Sequence, residues 1–182
     1  PAFVDSHSHL VYAGTREQEF NLRLKGASYE EIAAAGGGIL NSAGRVAATS
    51  QDEMQRQSAL RLNRLIENGT GTLEIKSGYG LDPENELKML RTIKALNETS
   101  HATLVPTFLA AHALPSWAKT KGMNDATYTK HMLEACLPTI KAEGLAQFLD
   151  GFIERDYFKL TALEHLIEAS AVNGLPLKIH VN

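Results

Sequence analysis

The sequence predicts an α/β chain built as the first five strand-and-helix units of a (β/α)8 TIM-like barrel. Three observations carry that expectation. Five short apolar runs are nearly continuous, segments of helical period lie between them, and polar residues close one run after another. The runs are Ala2 to Asp5, Gly71 to Lys76, Ala102 to Ala110, Phe148 to Glu154 and Leu175 to Val181. A strand covered on one face alternates apolar and polar residues. These runs do not, so each is expected to be covered on both faces, as parallel strands are.

The intervening segments repeat apolar residues at helical spacing. Asp52 to Asn68 carries Met54, Leu60, Leu62, Leu65 and Ile66, with Asp52 as the expected N-cap. Pro83 to Thr99 follows Asp82, a capping residue placed before proline at the first helical position. Asp125 to Glu143 and Thr161 to Asn173 have the same character, and Gly174 ends the latter just before a strand. Strict alternation of strand and helix implies a parallel sheet with right-handed crossovers. An open doubly wound sheet is the competing architecture, but no glycine-rich phosphate loop follows the first strand. Gly36-Gly37-Gly38 lies far from that strand and reads as a flexible loop. The barrel is favoured.

Composition limits the partners. Hydrophobic residues make up 43% and charged residues 21% of 182, an ordinary globular balance with room for one domain. The net charge of -3 gives no electrostatic cause to bind nucleic acid or an anionic membrane surface. No apolar run approaches the ~20 residues needed to span a bilayer. The single cysteine, Cys136, excludes an internal disulfide, fits a cytoplasmic location and falls on an apolar helical face, so packing is its expected role. The chain starts at Pro1, beside one apolar strand, and stops at Asn182, after another. Residues 1–182 are therefore expected to be a partial barrel domain excised from a longer chain, folding poorly and inactive when expressed alone.

The histidines carry the chemistry. His7 and His9 are two apart at the end of the first strand, so both imidazoles are expected on one face. His180 closes the last run, and in a barrel the ends of distant strands meet at one mouth. Neutral imidazole is a common ligand of first-row divalent metals, and three protein ligands with an open position describe a catalytic site. His112 ends another run and is a candidate metal ligand, substrate donor or proton carrier. His101, His131 and His165 are expected to be surface or packing residues.

The order His-x-His on strand one and His on strand five resembles the amidohydrolase superfamily of metal-dependent hydrolases. Several segments narrow the resemblance to the imidazolonepropionase family: Pro1 to Gly14, Arg16 with Glu19-Phe20, Gly36-Gly37-Gly38-Ile39, Glu74 to Leu81, and Thr107 to His112. The segment around Tyr79 is the most specific of them. The resemblance implies hydrolysis of the ring amide bond of 4-imidazolone-5-propanoate to N-formimino-L-glutamate, in histidine degradation. It implies one divalent ion, zinc or iron, held by His7, His9 and His180. It further implies that Arg16 holds the propanoate carboxylate, that Tyr79 and His112 contact the ring and its carbonyl oxygen, with His112 in a catalytic role, and that Tyr29 is a further substrate contact. Glu154 stands where other superfamily members carry a metal-bridging lysine, so a single ion is implied. The implied partner is a small molecule, with a homodimer left open. Two other readings stay open: another cyclic amidohydrolase or deaminase acting on a small heterocycle, and a non-catalytic metal-binding barrel domain. Arg16 separates the first of these, because a bare nucleobase has no anionic arm for it.

Overall fold

Strand and helix alternate much as the patterns predict. The computed structural model describes residues 1–28, 31, 37–155 and 157–181. Along the chain run β1 (Phe3–Ser8), α1 (Glu17–Leu24), α2 (Ile39–Ala48), α3 (Gln51–Glu67), β2 (Thr70–Lys76), α4 (Pro83–Thr99), β3 (Thr103–Ala111), α5 (Ser116–Thr120), α6 (Asp125–Glu143), β4 (Phe148–Ile153), α7 (Leu160–Asn173) and β5 (Leu177–Val181). Of the sequence expectations, Tyr29 and Gly36 lie outside the described residues.

The five strands form one parallel sheet in the order β1-β2-β3-β4-β5. A doubly wound sheet would reverse direction at a switch point; this one does not. It is also curled. In a flat sheet β1 and β5 would lie about 19 Å apart, four spacings of ~4.8 Å. Yet His7 on β1 and His180 on β5 approach to 3.2 Å between ring nitrogens. The sheet is thus a half-barrel, with helices on its convex side and inward-pointing side chains meeting across the concave side.

Helix ends follow local chemistry. Asp82 caps α4 by accepting from the Asn85 N–H, as expected. The cap of α3 is Ser50 rather than Asp52: its hydroxyl accepts from the Glu53 N–H, and Asp52 falls in the first turn, where its charge still suits the helix dipole. Gly174, left-handed at φ 66, ends α7 and turns the chain into β5. Gly38 does not sit in a free loop; it is the residue from which α2 starts. Helices α1 and α2 were not expected. The reason is plain for α1, which has no buried residue and so no apolar stripe to read.

Leu73, Ile75, Phe108 and Leu149 from the strands pack with Met89 and Met132 from the helices, all fully buried. Cys136 on α6 belongs to the same core, and burial pushes its thiol well above the usual range. Cys136 is therefore expected to resist alkylation in native protein and to react only as the domain unfolds. Rapid labelling by a thiol reagent without denaturant would contradict the packing. No described helix is long and apolar enough to cross a membrane.

Candidate active site

Four strand ends supply the candidate side chains. His7 lies in β1 and His9 just beyond it; Ser77 to Leu81 form the turn after β2; His112 follows β3; His180 lies in β5. The segment leaving β1 is tied down by Arg61 of α3, which donates to the Leu10 carbonyl at 3.0 Å and stacks its guanidinium 3.6 Å from the centre of the Tyr12 ring.

The turn carrying Tyr79 shows why its sequence is Gly-Tyr-Gly. Gly78 has φ 107, and a Cβ there would lie 2.7 Å from His112 Nδ1. A Cβ on Gly80 would lie 2.4 Å from the Glu86 backbone nitrogen. Glu86, fully buried on α4, organises the loop: its carboxylate accepts from the N–H groups of Gly78, Gly80 and Leu81 at 2.8, 2.7 and 2.9 Å. Burial pushes the Glu86 carboxyl upward against the downward pull of those donors. Leu81 is held in the left-handed region at φ 57, its carbonyl accepting from Trp117 Nε1 and the Tyr128 hydroxyl. Tyr79 is thus presented by a rigid turn.

The imidazoles gather around it. Ring centres lie 5.6 Å apart for His7 and His9, 4.7 Å for His7 and His180, and 5.2 Å for His9 and His112, which stack within 11° of parallel. Tyr79 lies 5.0 Å from His9 and 5.5 Å from His112. The Gly78 carbonyl can only accept, so His112 Nδ1, 2.7 Å away, is its donor and Nε2 holds the lone pair. Burial lowers the pKa of His112, and burial together with neighbouring His180 lowers that of His7. Burial and the neighbouring His112 lower that of His9 to about 3.

The donor set fits a divalent cation in kind. The downward shifts at His7 and His9 favour the neutral ring, which is the ligand form, and the buried Nδ1 of His9 has no hydrogen-bond partner. The arrangement is incomplete, however: among the described residues no three His, Cys, Asp or Glu side chains surround one point as a ligand set. The physical reason lies in the hydrogen bond between His180 Nε2 and His7 Nδ1, which turns those two rings toward each other.

Neutral His9 has a consequence for acid stability. Its pKa is lower folded than unfolded, so between about pH 6.5 and 3 the unfolded chain binds the extra proton and stability is lost as the pH drops. The loss is expected at up to ~1.4 kcal/mol per pH unit in chelator-treated protein. His9→Gln should flatten that slope in acid unfolding curves; an unchanged slope would show that His9 is not held neutral.

Beside the histidines lies a cavity of about 440 Å³, lined by Arg16, Arg23, Tyr79, His112, Phe152 and Tyr157 among others. Arg16 and Tyr79 also line a neighbouring cavity of about 240 Å³ that reaches His9. Arg16 pairs with Glu19 at 3.5 Å, so the surface ion pair and the cavity position are both real. Arg23 was not expected from the sequence. It lies seven residues after Arg16, two helical turns along α1 and on the same face, a spacing that could have found it. The other histidines stay apart: His101 is exposed and His131 packs 5.9 Å from Trp117.

A group of charges on the concave side, with Glu74, Lys76 and Asp150 buried and Lys178 half-buried, was not expected from the sequence. Lys76 Nζ donates to Glu74 at 2.8 Å and to Asp150 at 2.7 Å, and Lys178 donates to Glu74 at 2.8 Å. The Thr107 hydroxyl also donates to Glu74, at 2.5 Å. Glu74 and Lys76 stand two apart on a run expected to be covered on both faces. Opposite charges on one face of such a strand were the available signal.

The chain is 50% identical over 182 residues to a protein named imidazolonepropionase from Flavobacterium psychrophilum. It is 49% identical to one of that name from Christiangramia forsetii and 43% identical to one from Brucella anthropi, again over 182 residues. No family model matches. A solved structure described as mandelate racemase/muconate lactonizing enzyme from Roseiflexus sp. covers 70% of this chain and 45% of its own at 14% identity and a TM-score of 0.27, too distant to argue from. Along its whole length, then, the chain is similar to imidazolonepropionases, and it spans 44% of the length of those relatives.

Proposed function

We propose that this chain carries the arm-binding and proton-handling part of a hydrolase that converts 4-imidazolone-5-propanoate to N-formimino-L-glutamate in histidine degradation. The observation that carries the reading is a single cavity lined by two guanidinium groups, Arg16 and Arg23, together with Tyr79 and His112. Its volume of about 440 Å³ suits a small ligand. A guanidinium fork matches a carboxylate in shape and charge, so Arg16 holds the propanoate arm and Arg23 adds positive potential beside it. Tyr79 lies against the heterocycle. A nucleobase-like ring without an acidic arm would leave both arginines unanswered, which weighs against the deaminase reading.

Hydrolysis adds water at the ring carbonyl carbon, breaks the ring C–N bond and leaves a proton on the departing nitrogen. His112 is built for that proton. With Nδ1–H committed to the Gly78 carbonyl, its neutral ring offers a lone pair at Nε2 and so accepts a proton rather than donating to a carbonyl oxygen. His7, His9 and His180 would hold one divalent ion, zinc or iron, whose chemistry is Lewis-acid activation of water.

The test is the loss of ultraviolet absorbance of 4-imidazolone-5-propanoate, with recovery of formiminoglutamate, using the intact polypeptide that carries this sequence. Turnover is expected with one equivalent of metal. Absence of turnover in metal-replete, folded protein would sink the proposal.

A further inference from the structure

One carboxylate beneath the histidines has both oxygens engaged. Asp150 on β4 is fully buried. Its Oδ2 accepts from the Lys76 ammonium at 2.7 Å. Its Oδ1 accepts from the Gly151 N–H at 2.7 Å and lies 3.1 Å from His180 Nδ1. A carboxylate held by donors at both oxygens accepts, so the proton between Asp150 and His180 resides on Nδ1. In the neutral form of the ring, the lone pair of His180 is then on Nε2. That nitrogen lies 3.2 Å from His7 Nδ1, which must be the donor of their bond. His7 is left with its own lone pair on Nε2. We propose that Asp150 is a positioning residue that sets the tautomers of two imidazoles, His180 directly and His7 through it.

Asp150 is well placed to impose that order. Lys76 holds it from one side, and Lys76 is itself fixed by Glu74, which also accepts from Lys178 and Thr107. Two carboxylates and two ammonium groups balance in charge, and every carboxylate has a donor, so the cluster resists rotation of any member. Backbone register completes the geometry. Asp150 pairs with Lys178 and Phe152 with His180, so the imidazole stands one same-face step along β5 from the residue opposite its carboxylate. Carboxylate–imidazole pairs of this kind fix which ring nitrogen is offered to a cation or a proton. What the offered lone pair is for rests on the function proposed above; the chain of donors and acceptors does not.

The experiment reads tautomers, without substrate or metal. The intact polypeptide, labelled with 15N-histidine and stripped with chelator, is examined by long-range 1H–15N spectroscopy at mildly alkaline pH, where imidazoles are neutral. The signals are assigned by their loss in His180→Gln and His7→Gln. Both rings are expected to show pyrrole-type Nδ1 and pyridine-type Nε2. Asp150→Ala is expected to abolish that pattern at both, shifting them toward the Nε2–H form that free histidine favours. Leu166→Ala, which loosens packing against neighbouring Gly151 without touching the carboxylate, is expected to leave the pattern intact. An Nε2–H form of His180 in the unsubstituted protein overturns the proposal, as does a persistent Nδ1–H form in folded Asp150→Ala. If that variant does not fold, the unsubstituted spectrum decides alone. A protein with these tautomers but no turnover would refute the reaction and leave Asp150 in its role.

Discussion

Replacing Arg16 with Ala is expected to raise KM for imidazolone propanoate by about 10- to 100-fold and to leave kcat nearly unchanged. A hydrogen-bonded charge contact contributes about 1.5–3 kcal/mol, and half-exposure of this side chain, 43%, puts the effect toward the lower end. The arm does not react, so its contact is made equally in the ground state and the transition state; such contacts move KM rather than kcat. Arg16→Lys should recover part of the loss, keeping the charge but not the fork. The decisive comparison uses a ring without the propanoate arm. The unsubstituted enzyme should suffer on losing the arm, and Arg16→Ala should suffer no further. Equal additional losses in both enzymes would separate Arg16 from the carboxylate and remove the main argument for this substrate.

Glu86→Ala is expected to be the most damaging single substitution in stability. It strips the acceptor from three buried N–H groups, those of Gly78, Gly80 and Leu81. Each unpaired donor costs about 1–3 kcal/mol, so a loss of at least ~3 kcal/mol follows, which in a domain of this size lowers Tm by roughly 6–12 °C. The damage should also be local. Leu81 adopts its left-handed backbone only because its N–H, its carbonyl and its buried side chain are all held. With Glu86 gone, the turn carrying Tyr79 should relax and Tyr79 fluorescence should lose its anisotropy before global melting. A variant melting within a degree or two of the parent would show that the carboxylate is not the anchor.

The sheet was legible because β2 to β4 are covered on both faces, and continuous apolar runs such as Leu104 to Ala111 leave little else to conclude. The caps at Asp82 and Gly174 were legible because they depend only on neighbours in sequence. Helix α1 was not: it has no buried residue, Phe20 and Leu24 are exposed, and Arg16 at its N-cap and Arg23 in its last turn line the cavity instead of the core. His7 approaches both His9 and His180, since strand ends of a curled sheet converge, but among the described residues the three rings do not surround one point. Their hydrogen bonding was hidden, because it depends on Asp150, which sits inside an apolar run and finds Lys76 74 residues away. Pairings across a concave sheet need its curvature, and no local pattern encodes that.

The sheet order has a kinetic consequence. Each strand pairs with the one made just before it, joined by a crossover that returns to the open edge. No strand must wait for a later one to be inserted between it and its neighbour. A chain emerging from the ribosome can therefore lay down this half-barrel one βα unit at a time, and pairing of the earlier strands does not depend on the last.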